Sequence, residues 1–509
     1  MGRTSENVTA VEACLADGTR VRFDEGASAR DPRVAALTAG VADVVRRHER
    51  LIRERFPKTV RRNAGYGLDM ILAQLDRAGG DERGVNLAHL LCGSEGTLAV
   101  TLGADLILHP KPAAKGLAVL GFDSLDGAIE AVLPILATGP TAVELLDDTV
   151  VDLARANVEY RRYVDLMPAP TAGALRAVLY VEYFGASGAE IEAGFAALRA
   201  ATPGIAMQAH TDAVAMLNAW KLRKAGEPLL HGIPGRRKPI TFVEDNAIPV
   251  ERLGEFVRRL REIVAAHGTR AAFYAHASVG VLHVRPLLDV HDPEDRERMR
   301  AIALETADLA KSLGGVMSGE HGDGRVRTPL LERFYGPELM GAFREVKRLF
   351  DPRNLLNPGN IVDLDGRNPR PEASLAQALR VEPTPGRPIG VPAGIETYFD
   401  YADQHGFDAA VEMCNGAGVC RKKQGGTMCP SYMGSLDERH STRGRGNALR
   451  LAITGQLGAM AADGAAAPAG SPASPSWNDP GTTETLRLCL SCKACKTECP
   501  SNVDIARLK

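Results

Sequence analysis

The feature that most constrains this 509-residue chain is the run Cys489-Leu-Ser-Cys492-Lys-Ala-Cys495-Lys-Thr-Glu-Cys499-Pro500. Its C-x2-C-x2-C-x3-C-P spacing lets three thiolates converge on one [4Fe–4S] cluster, while the fourth, before proline, reaches a second cluster. Zinc competes for C-x2-C pairs, but the four-cysteine spacing and the terminal proline favour iron–sulfur. A disulfide framework needs an oxidising compartment, and residues 1–7 lack the apolar core of a secretory signal. Upstream stand Cys414, Cys420 and Cys429-Pro430. Crossed ligation assigns Cys489, Cys492, Cys495 and Cys429 to one cluster, and Cys414, Cys420 and Cys499 to the other. Ala417 occupies the position of the eighth cysteine. The second site then holds a [3Fe–4S] cluster, a [4Fe–4S] cluster with a non-cysteine ligand, or nothing. Cys14 and Cys92 stand apart and read as small buried hydrophobes.

The rest of the chain is of ordinary globular composition, with 45% hydrophobic and 24% charged residues, which excludes disorder as its main state. Its 61 basic and 63 acidic residues disfavour a nucleic-acid partner. No apolar stretch approaches the ~18 residues of a membrane span. The expected fold class is α+β in three parts. Residues 1–112 are mixed, with a helical pattern at 37–56 and an alternating strand at 98–108 whose Leu98, Val100, Leu102, Leu106 and Leu108 share a face. Residues 113–361 alternate strands (116–122, 176–184, 240–248, 270–278, 281–288) with helices (124–137, 188–200, 211–226, 250–267, 292–313, 338–350), forming an antiparallel sheet with packed helices. A linker at 362–395 leads to a helical, ferredoxin-like unit at 396–509, which a low-complexity insertion at 461–482 interrupts.

Three further groups carry chemistry. Gly93-Ser94-Glu95-Gly96-Thr97-Leu98, with Arg62-Asn63-Ala64-Gly65-Tyr66-Gly67 upstream, offers close backbone approach to a ligand. His276, His283 and Glu320 are types that suit a divalent metal such as zinc, although histidines seven apart need share no face. His321 is a general-base candidate. Arg223, late in a helical pattern, is either a carboxylate-binding fork or a solvated charge.

Together these motifs, with Gly319-Glu320-His321-Gly322 and Asp351-Pro352-Arg353-Asn354-Leu355-Leu356-Asn357-Pro358-Gly359, resemble FAD-linked oxidases of the vanillyl-alcohol-oxidase type fused to a ferredoxin-like module. The layout is most similar to large bacterial D-2-hydroxyglutarate dehydrogenases. The resemblance implies part of an FAD-binding domain, an α+β substrate domain, and oxidation of a D-2-hydroxy acid to the 2-oxo acid. It further implies that Gly93, Ser94, Glu95, Gly96, Thr97 and Asn357 approach the flavin. By the same likeness His276, His283 and Glu320 hold the metal, His321 is the base and Arg223 anchors the C1 carboxylate. Ala277-Ser278-Val279 departs from the usual glycine-rich spacing between the histidines. Residues 2–8 resemble the segment just after the family's pyrophosphate loop, so a truncated FAD domain is expected.

Arg285 leaves its strand on the same face as His283. A second cation there would favour a substrate with two carboxylates; surface ion pairing is the alternative. The acceptor implied is a quinone, cytochrome or electron-transfer flavoprotein. The setting implied is cytoplasmic, with peripheral association at the inner face of the membrane, and a homo-oligomer is compatible. The alternatives are a D-lactate or glycolate dehydrogenase, and an electron-transfer subunit without a complete flavin site.

Overall fold

The computed structural model describes residues 2–170, 173–366, 371–377, 379, 395–454, 476 and 478–509. Most of the linker and of the low-complexity insertion lies outside them. The first unit is a three-stranded antiparallel sheet in the order β2 (Arg20–Phe23), β1 (Val8–Cys14), β3 (Val100–Leu106). Helices pack on it. The helix Pro32–Arg47 starts where the Asp31 carboxylate accepts from the Arg33 and Val34 amides, with proline at its first position. Its buried stripe of Val34, Leu37, Val41, Val44 and Val45 faces the core. The helical pattern at 37–56 breaks at His48, and a second helix runs from Glu49 to Arg55.

The alternating stretch at 98–108 forms a strand as expected, over Val100–Leu106, and its Val100, Leu102, Leu106 and Leu108 stay at least half exposed. Period two fixes which side chains share a face; it does not provide the layer that buries them.

The second unit is an eight-stranded antiparallel sheet. Its order is β7 (Ala206–His210), β4 (Ala114–Phe122), β6 (Ala177–Gly185), β5 (Ala142–Asp147), β10 (Ala271–His276), β11 (Val281–Leu288) and β8 (Lys238–Pro239), with β9 (Asn246–Ala247) also on β11. Both faces are covered. Ala118, Leu120, Leu179, Phe273, Leu282 and Val284 join the core under the helices Leu253–Ala266 and Pro293–Ser312. Leu117, Val119, Val178, Tyr180 and Tyr274 join a second core under the helix Ala213–Leu230. Alternation along each strand divides these two sets. The strand expected at 240–248 is mostly irregular, with only Asn246–Ala247 paired. Short β5 and β7 and the helix Asp148–Ala156 have no counterpart among the expected elements. The expected helix at 124–137 is two pieces, Leu125–Glu130 and Val132–Leu136.

The helix Pro337–Phe350 returns to the first unit and carries Lys347, whose side chain is 0% exposed. Its ammonium donates to the Thr97 carbonyl (2.6 Å), the Asp351 carboxylate (2.7 Å) and the Leu356 carbonyl (2.7 Å). All three ammonium protons are therefore satisfied. Replacing one member strands a buried charge, at a cost of about 3–5 kcal/mol. Lys347→Met should lower the unfolding free energy in urea by that amount, whereas Lys347→Met with Asp351→Leu should recover part of it.

Candidate functional site

The hairpin β10–β11 builds the site. Tyr274 pairs with His283 and His276 with Val281, so His276, Tyr274, His283 and Arg285 all project from one sheet face. The connection is the short turn Ala277–Val279, closed by Gly280 at φ 69°. A Cβ at Gly280 would lie 1.9 Å from the Ile248 carbonyl oxygen, so only glycine closes this hairpin. The His276 and His283 rings meet edge to face at 5.1 Å.

Glu144 on β5 is the cross-strand partner of His276. Its carboxylate meets His276 Nδ1 at 2.8 Å and accepts from Arg223 Nη2 at 2.7 Å. His276 thus turns Nε2 toward Glu320, 3.5 Å from Oε2. A carboxylate behind an imidazole is the arrangement that orients a metal-binding histidine. His276, His283 and Glu320 place one ligand atom each within 4.8 Å of one another. His283 is buried, and its Nδ1 lacks a hydrogen-bond partner. Burial first, then the neighbouring His276, His321, Arg223 and Arg285, push its pKa down to about 2. The ring is therefore neutral, the form that binds metals. This donor set fits a divalent cation.

Glu320 and His321 come from a loop that a neighbouring carboxylate holds. Asp245 is fully buried at φ 73° and accepts four bonds, from the Glu320 amide (3.0 Å), the His321 amide (2.8 Å) and Ser318 Oγ (2.7 Å), with its second oxygen also 3.1 Å from the Glu320 amide. All three donors belong to the loop that bears Glu320 and His321, which gives Asp245 a positioning role although it lies within ligand distance of both. Glu244, beside it, faces the site. It lies 2.6 Å from Arg285 Nη2 and 3.5 Å from His321 Nδ1. Although burial acts to raise its pKa, His321 and Arg285 hold Glu244 below the ordinary carboxylate range. Hydrogen bonding to Glu244 in turn raises the His321 pKa.

Arg223 and Arg285 both lie against Tyr274, 5.4 and 5.6 Å from its ring centroid. Each arginine has one arm committed, Arg223 to Glu144 and Arg285 to Glu244 and the Tyr274 hydroxyl. Arg223 Nε and Arg285 Nε and Nη1 are buried without a hydrogen-bond partner. Buried donors of this kind call for an acceptor. Glu144, Glu244 and Asp245 are the site residues that sequence reasoning did not single out. Only Glu244-Asp245 had any visible signal, as an acidic pair in an otherwise apolar stretch.

Next to Glu320 opens a cavity of about 410 Å³, walled by Asn63, Gly65, Cys92, Gly93, Glu320 and Tyr335 among others. The Gly93 backbone has φ 84°, and a Cβ there would lie 2.3 Å from Asn63 Oδ1. Cys92, expected as a core hydrophobe, lines this cavity. Of the residues expected at a flavin, Gly93 lines it, whereas Ser94, Glu95, Gly96, Thr97 and Asn357 do not. Their side chains hold the scaffold instead. Ser94 Oγ donates to the Leu91 carbonyl, Thr97 Oγ1 bonds the Ser94 carbonyl and the Tyr66 hydroxyl, and Asn357 Nδ2 donates to the Glu95 carbonyl. The Glu95 carboxylate accepts from the Asp323 and Gly324 amides at 2.6 and 3.0 Å, tying the first unit to the loop that carries Glu320.

In the C-terminal unit, Cys429, Cys489, Cys492 and Cys495 line one small cavity. Cys414, Cys420 and Cys499 line another, together with Ala417. Thr442, the first residue of the helix Thr442–Ile453, borders both. The three-cysteine cavity lies near the second unit: Ser501 Oγ donates to the Pro228 carbonyl (3.4 Å), at the end of the helix that carries Arg223. Lys238 Nζ meets Met413 Sδ at 3.1 Å, and His291 pairs with Glu412 at 2.8 Å.

Two family models match parts of the chain. Residues 111–361 match the FAD linked oxidases, C-terminal domain, and residues 410–503 match the 4Fe-4S dicluster domain. It is 28% identical to D-2-hydroxyglutarate dehydrogenase of Pantoea ananatis over 541 residues, covering 99% of this chain and 51% of that protein. The enzyme of that name from Escherichia coli (strain K12) is 28% identical over 545 residues, covering 100% of this chain and 51% of its own length. Glycolate oxidase subunit GlcD of Bacillus subtilis is 31% identical over 321 residues, 60% of this chain and 65% of that one. The chain therefore spans about half the length of the D-2-hydroxyglutarate dehydrogenases it matches. Among the described residues no helix is long and apolar enough to cross a membrane.

Loss of an outer partner that orients a metal site typically costs 10–100-fold in affinity. Asp245→Asn, which keeps the shape but offers one acceptor oxygen in place of two, should weaken metal retention by about tenfold or more. Competition with a chelator, followed by elemental analysis, measures this.

Proposed function

We propose that the chain is the flavin-facing and iron–sulfur part of an FAD-dependent dehydrogenase that oxidises a D-2-hydroxy acid, D-2-hydroxyglutarate in the first instance. The observation that carries this is the convergence of His276, His283 and Glu320 with His321 and two partly unpaired arginines on one sheet face. FAD supplies hydride acceptance, and a divalent metal such as zinc, when bound, polarises the hydroxyl. His276, held by Glu144, His283 and Glu320 are its ligands. The cavity beside Glu320, walled by main chain at Asn63–Gly65 and Gly93, takes the flavin ring.

The residues divide the work as follows. Arg223 takes the C1 carboxylate with the Nε that has no internal partner. His321 takes the hydroxyl proton, and the nearby Glu244 carboxylate stabilises the resulting imidazolium. Arg285 meets the distal carboxylate through its Nε and Nη1, which have no hydrogen-bond partner and of which Nη1 has only a long 3.9 Å ion pair with Glu227, and this distinguishes a dicarboxylate from D-lactate or glycolate. A quinone, cytochrome or flavoprotein receives the electrons after the clusters, and the protein works in the cytoplasm or at the inner membrane face.

Anaerobic addition of D-2-hydroxyglutarate to the FAD-loaded protein should bleach the flavin spectrum. D-lactate producing faster bleaching would move the assignment to that acid. A charge-assisted hydrogen bond is worth about 1.5–3 kcal/mol. Arg285→Ala should therefore lower kcat/KM for D-2-hydroxyglutarate by roughly 10–100-fold and leave that for D-lactate nearly unchanged; equal losses would sink the role of Arg285.

Cys429, Cys489, Cys492 and Cys495 are proposed ligands of a [4Fe–4S] cluster. For the second site a [3Fe–4S] cluster is favoured. Among the described residues its cavity is lined by three thiols and by no histidine, aspartate or glutamate. The oxidised, anaerobically prepared protein should show a three-iron paramagnetic signal, and Ala417→Cys should replace it with a four-iron cluster.

A further inference from the structure

The helix Thr442–Ile453 begins between the two cysteine-lined cavities and points two arginines in different directions. Arg443 donates to the Glu438 carboxylate at 2.8 Å, so its charge is neutralised locally. Arg445 differs. It is 1% exposed and ranks among the largest fully buried side chains. Its guanidinium donates to the Thr485 carbonyl (3.1 Å), the His440 carbonyl (2.5 Å), Ser431 Oγ (2.9 Å) and Cys429 Sγ (3.1 Å). Among the described residues no carboxylate pairs with it. A guanidinium stays protonated in proteins, and a buried cation without a counter-charge is costly. Of its four partners only Cys429 can carry a negative charge.

We propose that Arg445 sets the reduction potential of the cluster held by Cys429, Cys489, Cys492 and Cys495, raising it selectively over the cluster at Cys414, Cys420 and Cys499. The proposal rests on the assignment of that cluster above. Reduction adds one electron, and so one negative charge, to the cluster, with no bond made or broken. Cluster potentials respond to net charge and to hydrogen bonds on the sulfurs. Arg445 supplies both at Cys429, in a setting that screens little. At the other cavity Cys420 Sγ accepts from a neutral amide, Arg443 N at 3.4 Å, and the nearby Arg443 guanidinium is held by the Glu438 carboxylate. Arg445 is thus a positioning residue acting through Cys429, and its effect favours electron residence on the four-thiolate cluster, whose Cys492 is exposed.

The test is a potentiometric titration of the iron-loaded full chain with dithionite and mediators, followed by paramagnetic resonance, with iron analysis alongside. Arg445→Gln should make the four-thiolate cluster at least tenfold harder to reduce at a fixed ambient potential, about 59 mV for one electron. The other cluster should keep its midpoint. Arg445→Lys, which retains the charge but loses the fork, should fall between wild type and Arg445→Gln. Iron-loaded Arg445→Gln with the wild-type midpoint would overturn the proposal, and so would equal shifts at both clusters. Loss of cluster iron from both variants would make Arg445 a structural residue and overturn it equally. Absence of iron and of any reduced-cluster signal in the wild type would instead overturn the cluster assignment itself.

Discussion

The candidate site depends on one buried carboxylate. Asp245 gathers the amides of Glu320 and His321 and the hydroxyl of Ser318, and its own amide donates to the Leu282 carbonyl on β11. The loop that bears Glu320 and His321 is thereby tied to the strand that bears His283. The Ala247–Val316 backbone pair adds a second tie between the same two segments. The left-handed backbone at Asp245 is a conformation that aspartate tolerates better than most residues, and the network it accepts over-determines it. Glu95 does the same from the other side by taking the amides of Asp323 and Gly324. Two carboxylates from distant parts of the chain thus hold one short loop.

The same device recurs with arginine. Each arginine in the site pairs one arm with a glutamate, Arg223 with Glu144 and Arg285 with Glu244, and both flank Tyr274. These pairs fix the guanidinium planes before any ligand arrives, so little reorganisation is left for binding. In the C-terminal unit Arg445 has no carboxylate partner among the described residues, and its arm goes to a cysteine sulfur. A fully paired cation orients, whereas a cation lacking its own counter-ion acts on whatever negative charge comes nearest.

Much of this was legible in the sequence where the signal is local. The spacing of Cys489, Cys492, Cys495 and Cys499 reflects ligand geometry within one short loop, and the structure gathers the first three with Cys429. The histidines sit on a hairpin whose strands are visible as period-two runs. The strand expected at 240–248 was overread, because apolar residues there are buried by packing while only Asn246–Ala247 pair into the sheet. The alternation at 98–108 named a strand but not its exposure, since a pattern names a face and not the layer that covers it. Glu144 could not be found at all. It is one acid on a short strand, made functional by lying across from His276.

The sequence by itself determined the chemical types present: thiolates at cluster spacing, two imidazoles in one strand-forming stretch, and glycine where Gly280 leaves no room for a Cβ. These follow from steric and covalent rules that act over a few residues. Only the tertiary structure decided which carboxylate stands behind which cation, that Ser94 and Thr97 brace the scaffold beside the cavity, and that Arg445 turns its charge toward Cys429. Charges find partners through space across hundreds of residues, and the energy of a buried charge depends on everything around it and not on its neighbours in the chain.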